Sequence, residues 1–160
     1  MFRGVLCNRA PGAAARMAGT PAAPGVQGWV RFWPVRGGVL AEVSLSGLPG
    51  EERSIHGLHI HAGESCTGTS KEPLKNTGGH YDTGGRAHPF HSGDMPPVFA
   101  WRGQAWAAVF LGGLTLRELL GHTVVLHALP DDLKSQPAGA SGEKIACGVI
   151  CPAEKGDIRG

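Results

Sequence analysis

Short runs of alternating apolar and polar residues, separated by glycine and proline, dominate the chain beyond residue 25. The first two runs cover residues 26–33 and 39–45, and the Gly37-Gly38 pair between them predicts a hairpin turn. Further strands are predicted at residues 54–61, 98–101, 105–111, 122–128 and 145–150. Seven or eight short strands of this kind predict an all-β fold, a Greek-key antiparallel β-barrel or sandwich of about eight strands.

Two stretches without periodicity interrupt this pattern, at residues 62–97 and 130–142. The first of them carries glycines, prolines and most of the remaining histidines. Segments of such length inside a compact domain are more often functional than idle. We therefore expect two long functional loops.

The first 24 residues are rich in alanine and arginine and contain no acidic residue. They lack the apolar stretch of a secretory signal, so they are interpreted either as a disordered leader or as an organelle transit peptide. The expected organisation is therefore a leader over residues 1–24, a domain over 25–153 and a flexible tail over 154–160. The expected location is the cytoplasm, with a mitochondrion or plastid as the alternative.

Charge and cysteine content narrow the class of protein. The net charge is only +2, without the basic stripe of a nucleic-acid-binding protein. No apolar run approaches the roughly 20 residues that cross a bilayer, so neither nucleic acid nor a membrane is an expected partner. Four cysteines without a CxxC pair argue against a zinc knuckle. One disulfide between distant segments remains compatible with the sequence, which leaves its pairing open.

The clearest chemical feature is the His59-Ile60-His61 triplet. On a strand, residues two apart project from the same face, so both imidazoles can reach one metal ion. Leu58 and Ile60 then point into the core. Because a His-x-His pair also occurs on solvated strands, the triplet alone does not decide between a metal site and a polar face.

A second group of donors strengthens the metal hypothesis. His88, His91 and Asp94 lie within seven residues, and His80 precedes them in the same predicted loop. Zinc accepts nitrogen and carboxylate oxygen in tetrahedral sites. His127, on a predicted strand, would complete a copper site with the triplet, and imidazole suits both copper and zinc.

The motifs together resemble those of one known family. They are His56-Gly-Leu-His59-Ile-His61, Gly78-Gly-His80-Tyr, His91-Ser-Gly-Asp94, Gly121-His-Thr-Val-Val-Leu-His127 and Ala146-Cys147-Gly-Val-Ile150. In this order they resemble the copper/zinc superoxide dismutases, and the resemblance extends from about residue 26 to residue 150.

The resemblance implies two adjacent metals that share one ligand. The implied copper ligands are His59, His61, His80 and His127. The implied zinc ligands are His80, His88, His91 and Asp94. His80 would bridge the two metals as an imidazolate, and superoxide would be converted to dioxygen and hydrogen peroxide while copper alternates between Cu(II) and Cu(I).

Further roles follow from the same resemblance. Asp131 would accept hydrogen bonds from one copper ligand and one zinc ligand, which fixes the orientation of both rings. Cys66 and Cys147 match the family's disulfide, although Cys151 lies close enough in sequence to compete. Superoxide is the implied substrate. A homodimer and a copper chaperone are partners that the family allows, since it includes both dimers and monomers.

Three departures from the family pattern keep alternatives open. Lys144 stands where the family has a catalytic arginine; lysine keeps the charge but lacks the guanidinium fork. Only two residues separate His88 from His91, and the segment between Asp131 and Cys147 is also short. A copper-only dismutase and a non-catalytic copper-binding or delivery domain are therefore alternatives. A cupin-type oxygenase is disfavoured because its second motif has no counterpart here.

Overall fold

A computed structural model describes residues 3–154 of the chain. The strands are β1 (Ala13–Gly19), β2 (Gln27–Val35), β3 (Gly38–Ser46), β4 (Arg53–His56), β5 (Leu58–His61), β6 (Val98–Trp101), β7 (Ala105–Gly112), β8 (Thr123–His127) and β9 (Lys144–Pro152). The helices are α1 (Arg3–Asn8) and α2 (Leu116–Leu119), with a 3₁₀ turn at Lys75–Thr77. Within residues 3–154, no helix has the length and apolar character that a membrane span requires.

The strands are antiparallel and form a strongly curled sheet. Seven of them follow the order β5-β8-β9-β1-β2-β3-β7, and β4 pairs separately with β6. Gly57 divides β4 from β5. The alternating segment over residues 54–61 therefore forms two strands, of which β4 pairs with β6 and β5 pairs with β8. Counting this interrupted segment as one strand gives eight, which confirms the predicted all-β fold. The first hairpin also forms, with its turn at Arg36-Gly37 because Val35 pairs with Gly38.

The prediction of a disordered leader over residues 1–24 is wrong for β1. This strand lies between β2 and β9 and pairs with both. Ala13, Ala15 and Met17 are buried in the core, whereas Arg16 faces solvent. Alanine has a weak intrinsic preference for strands, so the local sequence does not predict a strand here. Pairing with β2 and β9 stabilises it instead. Of the predicted tail over residues 154–160, the last six residues lie outside the described part of the chain.

The interior of the sheet is filled by aliphatic and aromatic side chains from every major strand. Phe32, Leu58, Ile60, Leu126 and Ile150 are each exposed by 1% or less. Complete burial of such a side chain contributes about 1.5–3 kcal/mol. As predicted, Leu58 and Ile60 point into this core, and they hold β5 rigidly in place.

A disulfide joins the loop after β5 to the last strand. Cys66 and Cys147 are bonded, 81 positions apart in sequence, while Cys151 is free and exposed. The pairing implied by the resemblance is therefore confirmed. Closing a loop of this length contributes about 4–5 kcal/mol in the chain-entropy model. The bond fixes the start of the long loop that covers β5.

Candidate metal centre

The strand β5 delivers its two histidines to a covered site. It is the edge strand of the seven-stranded sheet, and the loop over residues 62–97 lies along its free edge. Ile60 N–H donates to Gly93 O at 2.9 Å, and Tyr81 N–H donates to Ile60 O at 2.8 Å. His59 and His61 are consequently exposed by no more than 1%. The loop thus covers the edge and carries its own histidines to those of the strand.

The first cluster contains the four predicted copper ligands. One nitrogen from each of His59, His61, His80 and His127 lies within 4.8 Å of the others. His61 Nε2 and His127 Nε2 are 3.3 Å apart. β8 is the antiparallel partner of β5, which explains why His127 meets the pair from β5. The structure therefore brings the predicted copper set together.

The second cluster contains the four predicted zinc ligands. Donor atoms of His80, His88, His91 and Asp94 also lie within 4.8 Å of one another. Asp94 Oδ1 is 2.6 Å from His80 Nδ1, and Asp94 Oδ2 is 3.1 Å from His88 Nδ1 and 3.0 Å from His91 Nδ1. Two residues between His88 and His91 are therefore enough to assemble the set. His80 belongs to both clusters, with Nδ1 in the second and Nε2 left for the first.

Asp131 connects the two clusters in the way the resemblance implied. Its Oδ2 accepts a hydrogen bond from His59 Nε2 at 2.6 Å, and its Oδ1 accepts one from His88 Nε2 at 3.0 Å. Because Nε2 of each ring carries the proton, Nδ1 keeps its lone pair and is the atom that can coordinate a metal. One carboxylate thus sets the tautomer of a ligand in each cluster.

The remaining hydrogen bonds also leave the correct nitrogens free. His61 Nδ1 and His127 Nδ1 donate to Gly78 O (2.9 Å) and Gly142 O (3.3 Å), so Nε2 of each ring faces the first cluster. Four buried imidazole nitrogens of the two clusters form no hydrogen bond: His59 Nδ1, His80 Nε2, His88 Nδ1 and His91 Nδ1. Buried polar atoms rarely stay unpartnered unless an ion or water satisfies them. The residues present therefore fit both copper and zinc.

The buried histidines are held neutral, as metal ligands must be. Burial, reinforced by the neighbouring His80, lowers the pKa of His59 to about 3. Burial likewise lowers the pKa of His61 to about 2 and that of His127 to about 4. Burial alone would raise the pKa of Asp94, but hydrogen bonds from His80 and the His91 backbone outweigh it and lower the pKa to about 2. Near pH 7, His59, His61 and His127 are therefore neutral and the Asp94 carboxylate is ionised.

Lys144 is anchored beside the first cluster. Its Nζ donates to Thr77 Oγ1 and to Gly78 O, both at 2.8 Å. The same Gly78 carbonyl accepts the proton of His61 Nδ1, so the lysine and a predicted copper ligand share one acceptor. Partial burial lowers the pKa of Lys144. The cationic group is therefore held in place next to the predicted copper ligands.

Two contacts that support the site could not be found from residue type alone. His56 donates from Nδ1 to His127 O at 3.0 Å and ties the end of β8 to β4. Gly139 packs so closely on Asp131 that a Cβ there would overlap the carboxylate and lie 2.8 Å from His88 Nε2. No sequence signal marks this glycine, because the close approach exists only in the folded chain.

Comparison with known proteins agrees with this geometry. A family model described as copper/zinc superoxide dismutase matches residues 26–150. A relative from Photobacterium leiognathi, named superoxide dismutase [Cu-Zn], is 37% identical over 110 residues, which are 60% of this chain and 64% of the relative. A relative of the same type from Aquifex aeolicus is 35% identical over 129 residues, 71% of this chain and 72% of the relative. The chain thus spans slightly less than two thirds of the Photobacterium protein.

Solved structures share the fold. The Cu/Zn superoxide dismutase from Brucella abortus superposes with a TM-score of 0.72 at 28% identity, covering 86% of this chain and 98% of that one. A double mutant of a superoxide-dismutase-like protein from Bacillus subtilis gives the same TM-score at 23% identity, which supports the fold alone. The family model covers most of the chain, and both donor clusters lie inside the matched region. The chain belongs to the copper/zinc superoxide dismutase family.

Proposed function

We propose that the protein is a superoxide dismutase that converts superoxide to dioxygen and hydrogen peroxide. The observation that carries the proposal is His80, which offers Nε2 to the copper cluster and Nδ1 to the zinc cluster. A single ring placed between two complete donor sets is what a bridged two-metal centre requires. We assign His59, His61, His80 and His127 to copper. We assign His80, His88, His91 and Asp94 to zinc.

The chain's own residues would prepare this centre for the reaction. Copper bound there would supply one-electron exchange with superoxide. Asp131 fixes the tautomers of His59 and His88, so the ligand nitrogens need no reorientation. His80 Nε2 is the ring atom on the copper side at which this histidine can hold a proton. Lys144 supplies positive charge that attracts the superoxide anion, although an ammonium orients it less strictly than a guanidinium fork.

The zinc assignment is preferred to the copper-only alternative. His88 Nδ1 and His91 Nδ1 are buried without hydrogen-bond partners and point to the same carboxylate oxygen of Asp94. A copper-only site would leave both nitrogens unsatisfied, and such burial costs free energy. The short loop nevertheless supplies a full tetrahedral set.

Metal content and superoxide decay measured on one preparation test the proposal. We expect about one copper and one zinc per chain and a superoxide decay rate well above that of the same protein stripped of metal. Full copper occupancy without zinc would contradict the zinc assignment. Copper binding without faster superoxide decay would instead favour a copper-storage or delivery domain.

We further propose that the protein forms a homodimer through an exposed aromatic surface made by Ile55, Phe99, Trp101 and Trp106. Phe99 is 71% exposed, Trp106 63% and Trp101 46%. These side chains border a shallow depression of about 640 Å³. Exposed aromatic clusters of this kind mark interaction sites.

A second copy of the chain is the proposed occupant because the rim carries both charge signs. Arg53 and Arg102 lie over the Trp101 ring, at 5.1 and 5.5 Å from its centroid. Glu51 and Glu52 are the exposed residues directly before Arg53. Under a two-fold axis, the acidic part of one rim can face the basic part of the other.

Sedimentation of the metal-loaded protein and of Trp101→Glu tests the dimer. We expect a dimer at micromolar concentration for the unaltered protein and a monomer for the variant, because the exchange removes a large aromatic side chain from the centre of the proposed interface. Leu120→Glu, which adds the same charge away from this surface, should remain dimeric. A monomeric unaltered protein would contradict the proposal.

A copper chaperone as partner and the cytoplasmic location stay predictions, to be tested by copper-transfer assays and by cell fractionation.

A further inference from the structure

We propose that Asp82 is a positioning residue that holds the short zinc loop in its binding geometry. The inference deepens the proposed function, because it concerns how the zinc cluster assembles. Asp82 lies outside both donor clusters, and its side chain is only 10% exposed. Its hydrogen-bond partners lie on both sides of the segment that carries His88 and His91. We call the residues just before His88 and those just after His91 the two arms of this segment.

The Asp82 carboxylate collects donors from both arms of that segment. On the arm before His88, Oδ2 accepts from Arg86 N–H at 2.6 Å and from Gly84 N–H at 3.2 Å. The Arg86 side chain adds a contact from Nε to Oδ1 at 3.2 Å. On the arm after His91, Oδ1 accepts from Ser92 N–H at 3.1 Å and from Ser92 Oγ at 3.2 Å. One side chain therefore joins both sides of the loop.

The positions of these donors explain why they matter for the metal. Arg86 lies two residues before His88, and Ser92 directly follows His91. Because the backbone N–H groups of Arg86 and Ser92 are both held by Asp82, the two ends of the segment between them are fixed in position. This constrains where the His88 and His91 imidazoles can lie relative to Asp94. The arms are also joined directly, since Arg86 Nη2 donates to Ser92 Oγ at 2.7 Å and Thr83 N–H donates to it at 3.2 Å. The segment that carries two of the predicted zinc ligands is thus held at both ends by a hydrogen-bond network centred on Asp82.

A carboxylate is well suited to this position. Five donors from Gly84, Arg86 and Ser92 converge on its two oxygens, and both oxygens can accept more than one hydrogen bond. An amide would turn an NH₂ group toward some of these donors, and alanine would leave all five without their acceptor. Gln136 supports the other side of His88, donating to its carbonyl at 2.6 Å and accepting from its N–H at 3.1 Å. Gln136 thus holds His88 from one side, whereas the Asp82 carboxylate accepts backbone N–H groups from both arms.

Zinc affinity of the metal-free protein, measured by competition with a chromophoric chelator, tests the inference. We expect Asp82→Ala to weaken zinc binding by about 10–100-fold, the usual effect of removing a group that orients metal ligands. Asp82→Asn should weaken it in the same direction. Glu72→Gln removes one exposed carboxylate from the same long loop and serves as the control, with unchanged zinc affinity.

Spectroscopy separates positioning from general destabilisation. Cobalt(II) in place of zinc should give an altered visible spectrum in Asp82→Ala, while the melting temperature of the metal-free variant stays near that of the unaltered protein. If Asp82→Ala fails to fold, Ser92→Ala removes only the hydroxyl contacts and should still weaken zinc binding.

The outcomes distinguish this inference from the proposed function. Equal zinc affinity of the Asp82 variants and the unaltered protein would overturn the inference alone. Failure of the unaltered protein to bind zinc would overturn both the inference and the zinc part of the proposed function.

Discussion

We expect the removal of residues 1–24 to leave a chain that does not fold. This deletion removes β1, which fills the centre of the seven-stranded sheet between β2 and β9. It takes Ala13, Ala15 and Met17 out of the core and leaves both neighbouring strands without backbone partners along their facing edges. Buried N–H and C=O groups without partners are costly, and typical domains have only about 5–15 kcal/mol of stability to lose.

Circular dichroism with thermal denaturation checks this expectation. The truncated chain should show neither the β-sheet spectrum nor a cooperative transition. A control truncation that removes only residues 1–8 keeps β1 and Arg9, whose carbonyl accepts from Trp33 Nε1 at 2.8 Å. That control should melt cooperatively. A cooperative transition in the longer truncation would show that the sheet closes without β1.

Replacement of His80 by alanine should remove activity and weaken both metal sites. The ring contributes one nitrogen to each cluster, so its loss leaves three donors for copper and three for zinc. We expect the superoxide decay rate of copper-loaded protein to fall to near that of metal-free protein, and zinc affinity to fall by at least 100-fold. His122→Ala is the matched control, because the His122 ring lies outside both clusters, donates from Nδ1 to Ala62 O at 2.8 Å and packs against the Tyr81 ring.

Elemental analysis and superoxide decay should be measured on the same sample. A His80→Ala protein that keeps its zinc and disproportionates superoxide at the unaltered rate would contradict the bridging assignment. If His122→Ala loses activity to the same extent, the effect of His80→Ala would not be specific to the shared ligand.

Most of the strands, and the residues that form the two donor clusters, could be predicted from the sequence for physical reasons. Period-two alternation marks strands that bury one face, and His59 and His61 share a face because they are two residues apart. The donor atoms of both ligand sets do converge, as the resemblance implied. Linear spacing cannot by itself show such convergence, because it depends on a loop folding along the edge of β5.

Other features depend on tertiary contacts that no local pattern encodes. β1 was missed because alanine and a single methionine lack the β-branched signature of a strand, and only pairing on both edges makes the segment extended. The break at Gly57 was missed because alternation continues through it while the pairing partner changes. Asp82 carries no motif, and its role is visible only from the donors that surround it.

The order of the strands determines when the parts of the sheet can be joined during synthesis. Among the described residues, β9 is the only strand hydrogen-bonded to both β8 and β1, so it joins the β5–β8 pair to the remaining ladder. Because β9 follows every other described strand in sequence, the β5–β8 pair and the β1–β2–β3–β7 ladder stay separate until β9 has been synthesised, while the β4–β6 pair remains a sheet of its own. Pairings this distant in sequence form slowly. The loop that carries His80, His88 and His91 is therefore fixed to the sheet by its disulfide only after β9 is present, because Cys147 lies on that strand.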